Sequence, residues 1–163
     1  MGMMGVGKST IGSRLAEKLG RTFLDTDREV ERLAGRSIAE IFAAEGEAHF
    51  RRLEAEAIDA ASAAGSVIAL GGGAVMAVGV IEKLLARGET VLLIADPELL
   101  VERIGDPSSR PLLAGLDREG RLRALGRLLE ERRSVYERAK VQVDADGGPD
   151  EVVLRILAAM GLA

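Results

Sequence analysis

Residues Gly2-Met3-Met4-Gly5-Val6-Gly7-Lys8-Ser9 match G-x-x-x-x-G-K-[ST] in full. The match fixes two glycines, a lysine and a hydroxyl at set spacing, which is the make-up of a phosphate-binding P-loop. Backbone N–H groups of such a loop wrap nucleotide phosphates, which makes Gly5, Val6, Gly7, Lys8, Ser9 and Thr10 candidate nucleotide contacts. Lys8 is placed to reach the β- and γ-phosphates, and the Ser9 hydroxyl to ligate Mg²⁺. Glycine-rich turns before helices are common, so the context decides. Ile11, Leu15 and Leu19 recur at helical spacing, with Arg14, Glu17 and Lys18 largely off that stripe. Loop followed by helix is the required context, and a helix N-terminus is itself an anion site.

A P-loop normally follows a β-strand, and only Met1 precedes Gly2. The expectation is therefore a short apolar strand upstream of Met1. Without it the sheet lacks its first strand.

The chain has 163 residues, a length that suits one domain over 1–163 with one core. Apolar residues make up 47% and charged residues 29%, a globular balance. The net charge of −4 argues against a nonspecific nucleic-acid binder. With no cysteine, disulfides, zinc–thiolate sites and thiol catalysis are excluded. No signal peptide is visible and no apolar stretch approaches a membrane span, so a cytoplasmic protein with no membrane partner is expected.

Short apolar runs alternate with helical patterns. The runs are Thr22-Phe23-Leu24, Ser66 to Leu70, Thr90 to Ala95 and Val141-Gln142-Val143. Ser37-Ile38-Ala39-Glu40 reads as a capping box, and a longer helix is expected from Gly46 to about Ala64. Asp96-Pro97-Glu98 opens another helix, and 150–160 closes the chain with one more. This alternation predicts an α/β fold, a parallel sheet with helices on both faces, whose ligands bind at the carboxyl ends of the strands.

That rule gathers the polar residues. Asp25 and Asp27 follow the first run, and Gly71-Gly72-Gly73 follows the second. One reading makes the two aspartates turn residues, with Thr26 or Asp27 capping a helix from Arg28. The other divides labour beside a Mg-nucleotide: one carboxylate serves the metal shell, the other accepts a proton from an attacking hydroxyl. The glycine triplet is either a flexible turn or a backbone surface that a ligand approaches closely. Arg51 and Arg52 point about 100° apart on a helix, so one can face the cleft while the other is solvated. The stretch of about 105–120 is the most loop-like in the chain. It is either an exposed loop or a lid carrying Arg110 onto a transferring phosphoryl group. Arg118 to Arg138 is an arginine-rich helical region, mostly a solvated face.

Taken together, these residues resemble shikimate kinase, over essentially the whole chain. The resemblance rests on the P-loop with Ser9-Thr10, Phe23-Leu24-Asp25-Thr26-Asp27, the helix Gly46-Glu47-Ala48-His49-Phe50-Arg51-Arg52-Leu53-Glu54, Leu70 to Val75, Arg110-Pro111-Leu112-Leu113, and Arg132 with Tyr136. It implies a P-loop nucleoside-monophosphate-kinase-like three-layer fold with a mobile lid. The implied reaction is transfer of the ATP γ-phosphoryl group to the 3-hydroxyl of shikimate, in aromatic amino-acid biosynthesis, by a monomer. By motif position, Lys8 holds phosphates, Ser9 binds Mg²⁺ and Asp25 orders its water shell. Asp27 contacts substrate hydroxyls and acts as base or orienter. Arg51 and Arg132 grip the substrate carboxylate, Gly72 and Gly73 give backbone contacts, Arg110 comes down with the lid, and Arg103 flanks the adenine. Ile104 stands where the family usually has Thr. An arginine fork suits a carboxylate better than a lysine point charge, and only four lysines are present. Two other readings are another small-molecule P-loop kinase, such as a gluconate or nucleoside-monophosphate kinase, and a non-catalytic nucleotide-binding relative.

Overall fold

The computed structural model describes residues 1–63, 65–105, 110 and 112–162. After the P-loop come α1 (Lys8–Leu19), β1 (Phe23–Asp25), α2 (Thr26–Ala34), α3 (Ile38–Ala63) and β2 (Val67–Ala69). A 3₁₀ turn (Ala74–Met76) leads to α4 (Val80–Arg87), β3 (Val91–Ile94), α5 (Pro97–Ile104), α6 (Arg118–Tyr136), β4 (Val141–Asp144) and α7 (Pro149–Ala159). All four expected runs are strands, each within a residue or so of its expected bounds. The chain adopts an α/β fold in which parallel strand pairs alternate with helices.

The strands form two parallel pairs. β1 pairs with β2, Asp25 opposite Ala69, and β3 pairs with β4, Val91 opposite Val141. Between β2 and β3, among the described residues, the start of the chain pairs with β3. The Met1 ammonium donates to the Val91 carbonyl, the Leu93 N–H donates to the Met1 carbonyl, and Gly2 forms a parallel bridge with Leu93. Among the described residues β2 pairs with β1 alone. A seam lies between the two strand pairs. It is an apolar cavity of about 480 Å³, lined by Met1, Ile11, Leu15, Ile68, Leu93 and Ile156 among others.

Local chemistry sets the helices. Gly7 caps α1 at φ +97°, a left-handed backbone that a side chain would strain. Ile11 and Leu15 bury one face of α1, which packs on α7 and β2. The capping box forms as expected: Glu40 N–H donates to Ser37 Oγ, and Ser37 N–H to the Glu40 carboxylate. The two helices expected on either side of Gly46 run together as α3, broken at Gly46, where φ is +78°. Val30, Ile41, Phe50 and Ala57 make a small core between α2 and α3, apart from the main one around Met3, Leu100, Leu125 and Val152.

The expected lid includes 106–109 and 111, which lie outside the described residues. Of the rest, the Arg110 carbonyl accepts from the N–H groups of Leu113 and Ala114, and Leu113 is fully buried. Asp117 caps α6 by accepting from the Gly120 N–H.

Candidate active site

The carboxyl ends of β1 and β2 deliver the site. β1 ends at Asp25 and β2 at Ala69, in register, so the Asp25-Thr26-Asp27 turn lies beside the glycine triplet. Thr26 ties the two together. It is fully buried, and its hydroxyl accepts the Gly71 N–H at 2.8 Å.

The capping reading needs correction. α2 starts at Thr26, and its cap is Asp25, not Thr26 or Asp27. Asp25 Oδ1 accepts from the N–H groups of Asp27 and Arg28, at 3.1 and 3.4 Å. Its other oxygen accepts the Ser9 hydroxyl at 2.5 Å. One carboxylate therefore serves both as cap and as partner of the P-loop serine, and the Asp27 carboxylate makes no hydrogen bond among the described residues. Oxygen donors at Ser9 and Asp25, side by side at the start of α1, suit Mg²⁺, which takes few protein ligands and completes its shell with phosphate oxygens and water.

The triplet also differs from a flexible turn. None of Gly71, Gly72 and Gly73 has a positive φ. Side chains crowd them instead, most tightly at Gly71 and Gly73. A Cβ on Gly71 would run into the carboxylates of Glu54 and Asp27. One on Gly73 would stand 2.7 Å from Arg51 Nη2, and one on Gly72 would lie 3.4 Å from Arg132 Nη1. Three consecutive positions without side chains make room for two carboxylates and two guanidinium groups.

Arg51 lies over Gly73 and Arg52 does not. Arg51 donates from Nη1 to Glu54 at 2.8 Å and from Nη2 to Glu47 at 3.0 Å, and it stacks 5.1 Å from the Phe50 ring centre. Arg52 is exposed and pairs with His49. Arg132 is buried and donates from Nη1 to the Gly72 carbonyl at 2.6 Å. Arg51, Gly73, Met76 and Arg132 line a cavity of about 570 Å³ together with Glu47 and Glu131.

Charges converge on the P-loop. Lys8 donates to the carbonyls of Gly2 and Met3, both at 2.9 Å. Burial pushes its ammonium down to about 8, with Arg110 and Arg132 acting in the same direction and Asp27 and Asp25 against it. Burial first, then Asp25, raises the Asp27 pKa, against the pull of Lys8, Arg110 and Arg51. The expected residues Lys8, Asp25, Asp27, Arg51, Arg110 and Arg132 thus lie within one another's fields. Gly5 and Gly7 shape the loop, Val6 is buried under it, and Thr10 is exposed on α1. Ile104 packs where a Cβ on Gly5 would go. Arg103 is placed beside the loop but is occupied with backbone: it donates to the carbonyls of Val6, Ala145 and Gly147.

Three residues at the site were expected in no binding or catalytic role, Thr26 having been read only as a candidate cap. Glu54 is 2% exposed, holds Arg51, and has its other oxygen buried without a hydrogen bond among the described residues. Its spacing of three from Arg51 on a helix was a usable signal. Tyr136, four residues after Arg132, offered the same kind of signal. Thr26 offered none, because its partner is 45 residues away.

Comparison with known proteins follows the same lines. The model of the family described as shikimate kinase matches residues 4–161. A shikimate kinase of Symbiobacterium thermophilum is 50% identical over 142 residues, covering 85% of this chain and 80% of that protein. The solved shikimate kinase of Bacteroides thetaiotaomicron superposes with a TM-score of 0.93 at 30% identity, over 99% of this chain and 96% of that one. The shikimate kinase of Acinetobacter baumannii, solved in complex with shikimate, gives 0.90 at 36% identity, over 98% and 89%.

Proposed function

The chain belongs to the shikimate kinase family, and from that premise we propose how its own residues carry out ATP-dependent phosphorylation of shikimate. The observation that carries the reading is the crowding of Asp27, Arg51 and Arg132 onto the glycine triplet, within the field of Lys8. A carboxylate acceptor and two guanidinium forks around one small cavity fit a compact polyol acid.

The N–H groups from Gly5 to Thr10 and the Lys8 ammonium hold the phosphates, and Arg103 walls the nucleotide side. Ser9 and Asp25 would hold Mg²⁺, which when bound would neutralise charge on the phosphates. Arg51 and Arg132 bind the shikimate carboxylate, with Gly72 and Gly73 giving backbone contacts. Arg51 exchanges part of its pairing with Glu47 and Glu54 to do so. Asp27 orients the 3-hydroxyl. As the hydroxyl oxygen bonds to the γ-phosphorus and the bond to the β–γ bridging oxygen breaks, the hydroxyl proton passes to the Asp27 carboxylate. The raised proton affinity of Asp27 favours that acceptance. Arg110 adds positive charge at the transferring group. The products are shikimate 3-phosphate and ADP.

No helix among the described residues is long and apolar enough to cross a membrane. We place the protein in the cytoplasm as a single-domain monomer working in aromatic amino-acid biosynthesis. A coupled ADP-release assay across shikimate, gluconate and nucleoside monophosphates tests the reading. ADP is expected only with shikimate and Mg²⁺ together, and turnover of gluconate without turnover of shikimate overturns it.

A further inference from the structure

Tyr136 is the only tyrosine of the chain and sits at the last residue of α6, one helical turn after Arg132. Residues four apart share a face of a helix, and here both reach the same acceptor. Tyr136 donates its hydroxyl to the Gly72 carbonyl at 2.9 Å, and Arg132 Nη1 donates to that oxygen at 2.6 Å. Both also approach Met3 Sδ, at 3.7 Å each. Met3 belongs to the phosphate loop, so one point ties α6, the glycine triplet and the loop together.

The second hydrogen bond is not needed to satisfy the Gly72 carbonyl. The guanidinium already supplies a short, charge-assisted partner, and the ring of Tyr136 is buried in the main core, where phenylalanine would pack as well. What the hydroxyl adds is direction. A carbonyl oxygen has two lone pairs. With one taken by the tyrosine, Arg132 is confined to the other and meets it through Nη1 alone. Its Nε and Nη2 make no hydrogen bond to any described residue, while Arg132 lines the cavity beside Arg51 and Gly73.

We propose that Tyr136 is a positioning residue for recognition of the substrate carboxylate: its hydroxyl, fixed on the Gly72 carbonyl, aims the uncommitted guanidinium edge of Arg132 into the cavity. This rests on the reading of Arg132 as a carboxylate ligand given above. The residue acts through another and touches no reacting atom, so its effect falls on one ligand and on one group of that ligand.

Steady-state kinetics of Tyr136→Phe test it, with shikimate and its methyl ester as alternative acceptors. KM for shikimate should rise about tenfold, the order of one charge-assisted hydrogen bond losing its alignment, with kcat and KM for ATP within about twofold. The preference for the acid over the ester should shrink by a similar factor. In an Arg132→Lys background the same change should add less than about twofold, because the edge being aimed is gone. An unchanged KM for shikimate, an equal loss for ATP, an unchanged acid-to-ester preference, or multiplying effects of the two substitutions each overturns the proposal. Wild-type protein that turns over shikimate in that event leaves the functional reading standing. Wild-type protein that fails to turn over shikimate brings down that reading and this one with it.

Discussion

The cleft over the glycine triplet and the seam between β2 and β3 are both built from strand pairs, yet their polar groups are answered to very different degrees. In the cleft, side chains answer the backbone and one another: Gly71 N–H with Thr26, the Gly72 carbonyl with Arg132 and Tyr136, Arg51 with Glu47 and Glu54, while Glu54 Oε1 has no partner among the described residues. In the seam, among the described residues, β3 meets Met1 and Gly2 across one edge, β2 has no second strand, and the lining is largely apolar. The cleft is held by side chains and backbone groups from the start of α2, the triplet after β2, α3 and α6. The seam is held instead by the backbone pairing of Met1 and Gly2 with β3. Chemistry and sheet completeness are therefore separable here, and substitutions can be chosen that move one without the other.

The largest expected effect lies in the cleft. Asp27→Asn keeps the shape and removes the proton acceptor, so kcat should fall about 10²–10⁴-fold. The melting temperature should hardly move, because the cap of α2 is Asp25 and not Asp27. Retention of more than about half of kcat would show that Asp27 is not the acceptor.

The seam gives the next largest, and it is an effect on stability. In a chain that starts at Met1, that residue carries a buried ammonium whose pKa is lowered to about 5, by burial first and then by Lys8. Its folded pKa lies below the ordinary value of 8.0. Between about pH 5 and 8 the unfolded chain therefore holds a proton that the folded chain does not, and stability should rise with pH across that window. Fusing about five to eight apolar residues ahead of Met1, the length of a strand, turns that ammonium into an amide and offers partners to both seam edges. Each buried group so satisfied is worth roughly 1–3 kcal/mol. A gain of about 3–5 kcal/mol corresponds to a rise in Tm on the order of 10 °C. The pH slope attributable to Met1 should vanish with it. Equal unfolding temperatures and equal pH slopes for the two chains would show that the seam needs no strand.

How much of this was legible follows from how local each feature is. The P-loop is eight consecutive residues, and its helix and cap announce themselves in the next dozen. The apolar runs located all four strands because buried parallel strands read as apolar runs. The role of Asp25 as cap was missed because Ser9, its other partner, is 16 residues away and the sequence does not say which aspartate turns back on the helix. The triplet was read as backbone made available to a ligand. Its crowding by Glu54, Asp27, Arg51 and Arg132 depends on the approach of α3 and α6 to β2, which no spacing reveals. Glu54 and Tyr136 stood at three and four residues from known arginines and were within reach of a helical-wheel argument.

Thr26 tests the weakest link between the two regions. It is the first residue of α2, fully buried, and its hydroxyl is what fastens the turn after β1 to the first glycine after β2. Valine has nearly the same shape and no acceptor, so Thr26→Val leaves the Gly71 N–H without its bond. That costs on the order of 1 kcal/mol, and Tm should fall by about 2–4 °C. The functional consequence should be confined to the triplet: a rise of a few-fold in KM for shikimate, with KM for ATP unchanged, since the phosphate loop hangs on Lys8 and Gly7 and not on Thr26. Thr26→Ser keeps the acceptor and should restore KM while recovering Tm only in part, because the lost methyl group still leaves a small void. A valine variant with wild-type KM would mean that Arg51, Arg132 and Tyr136 hold the triplet without help from β1. The cleft would then be independent of the strand pair it grows from as well as of the seam.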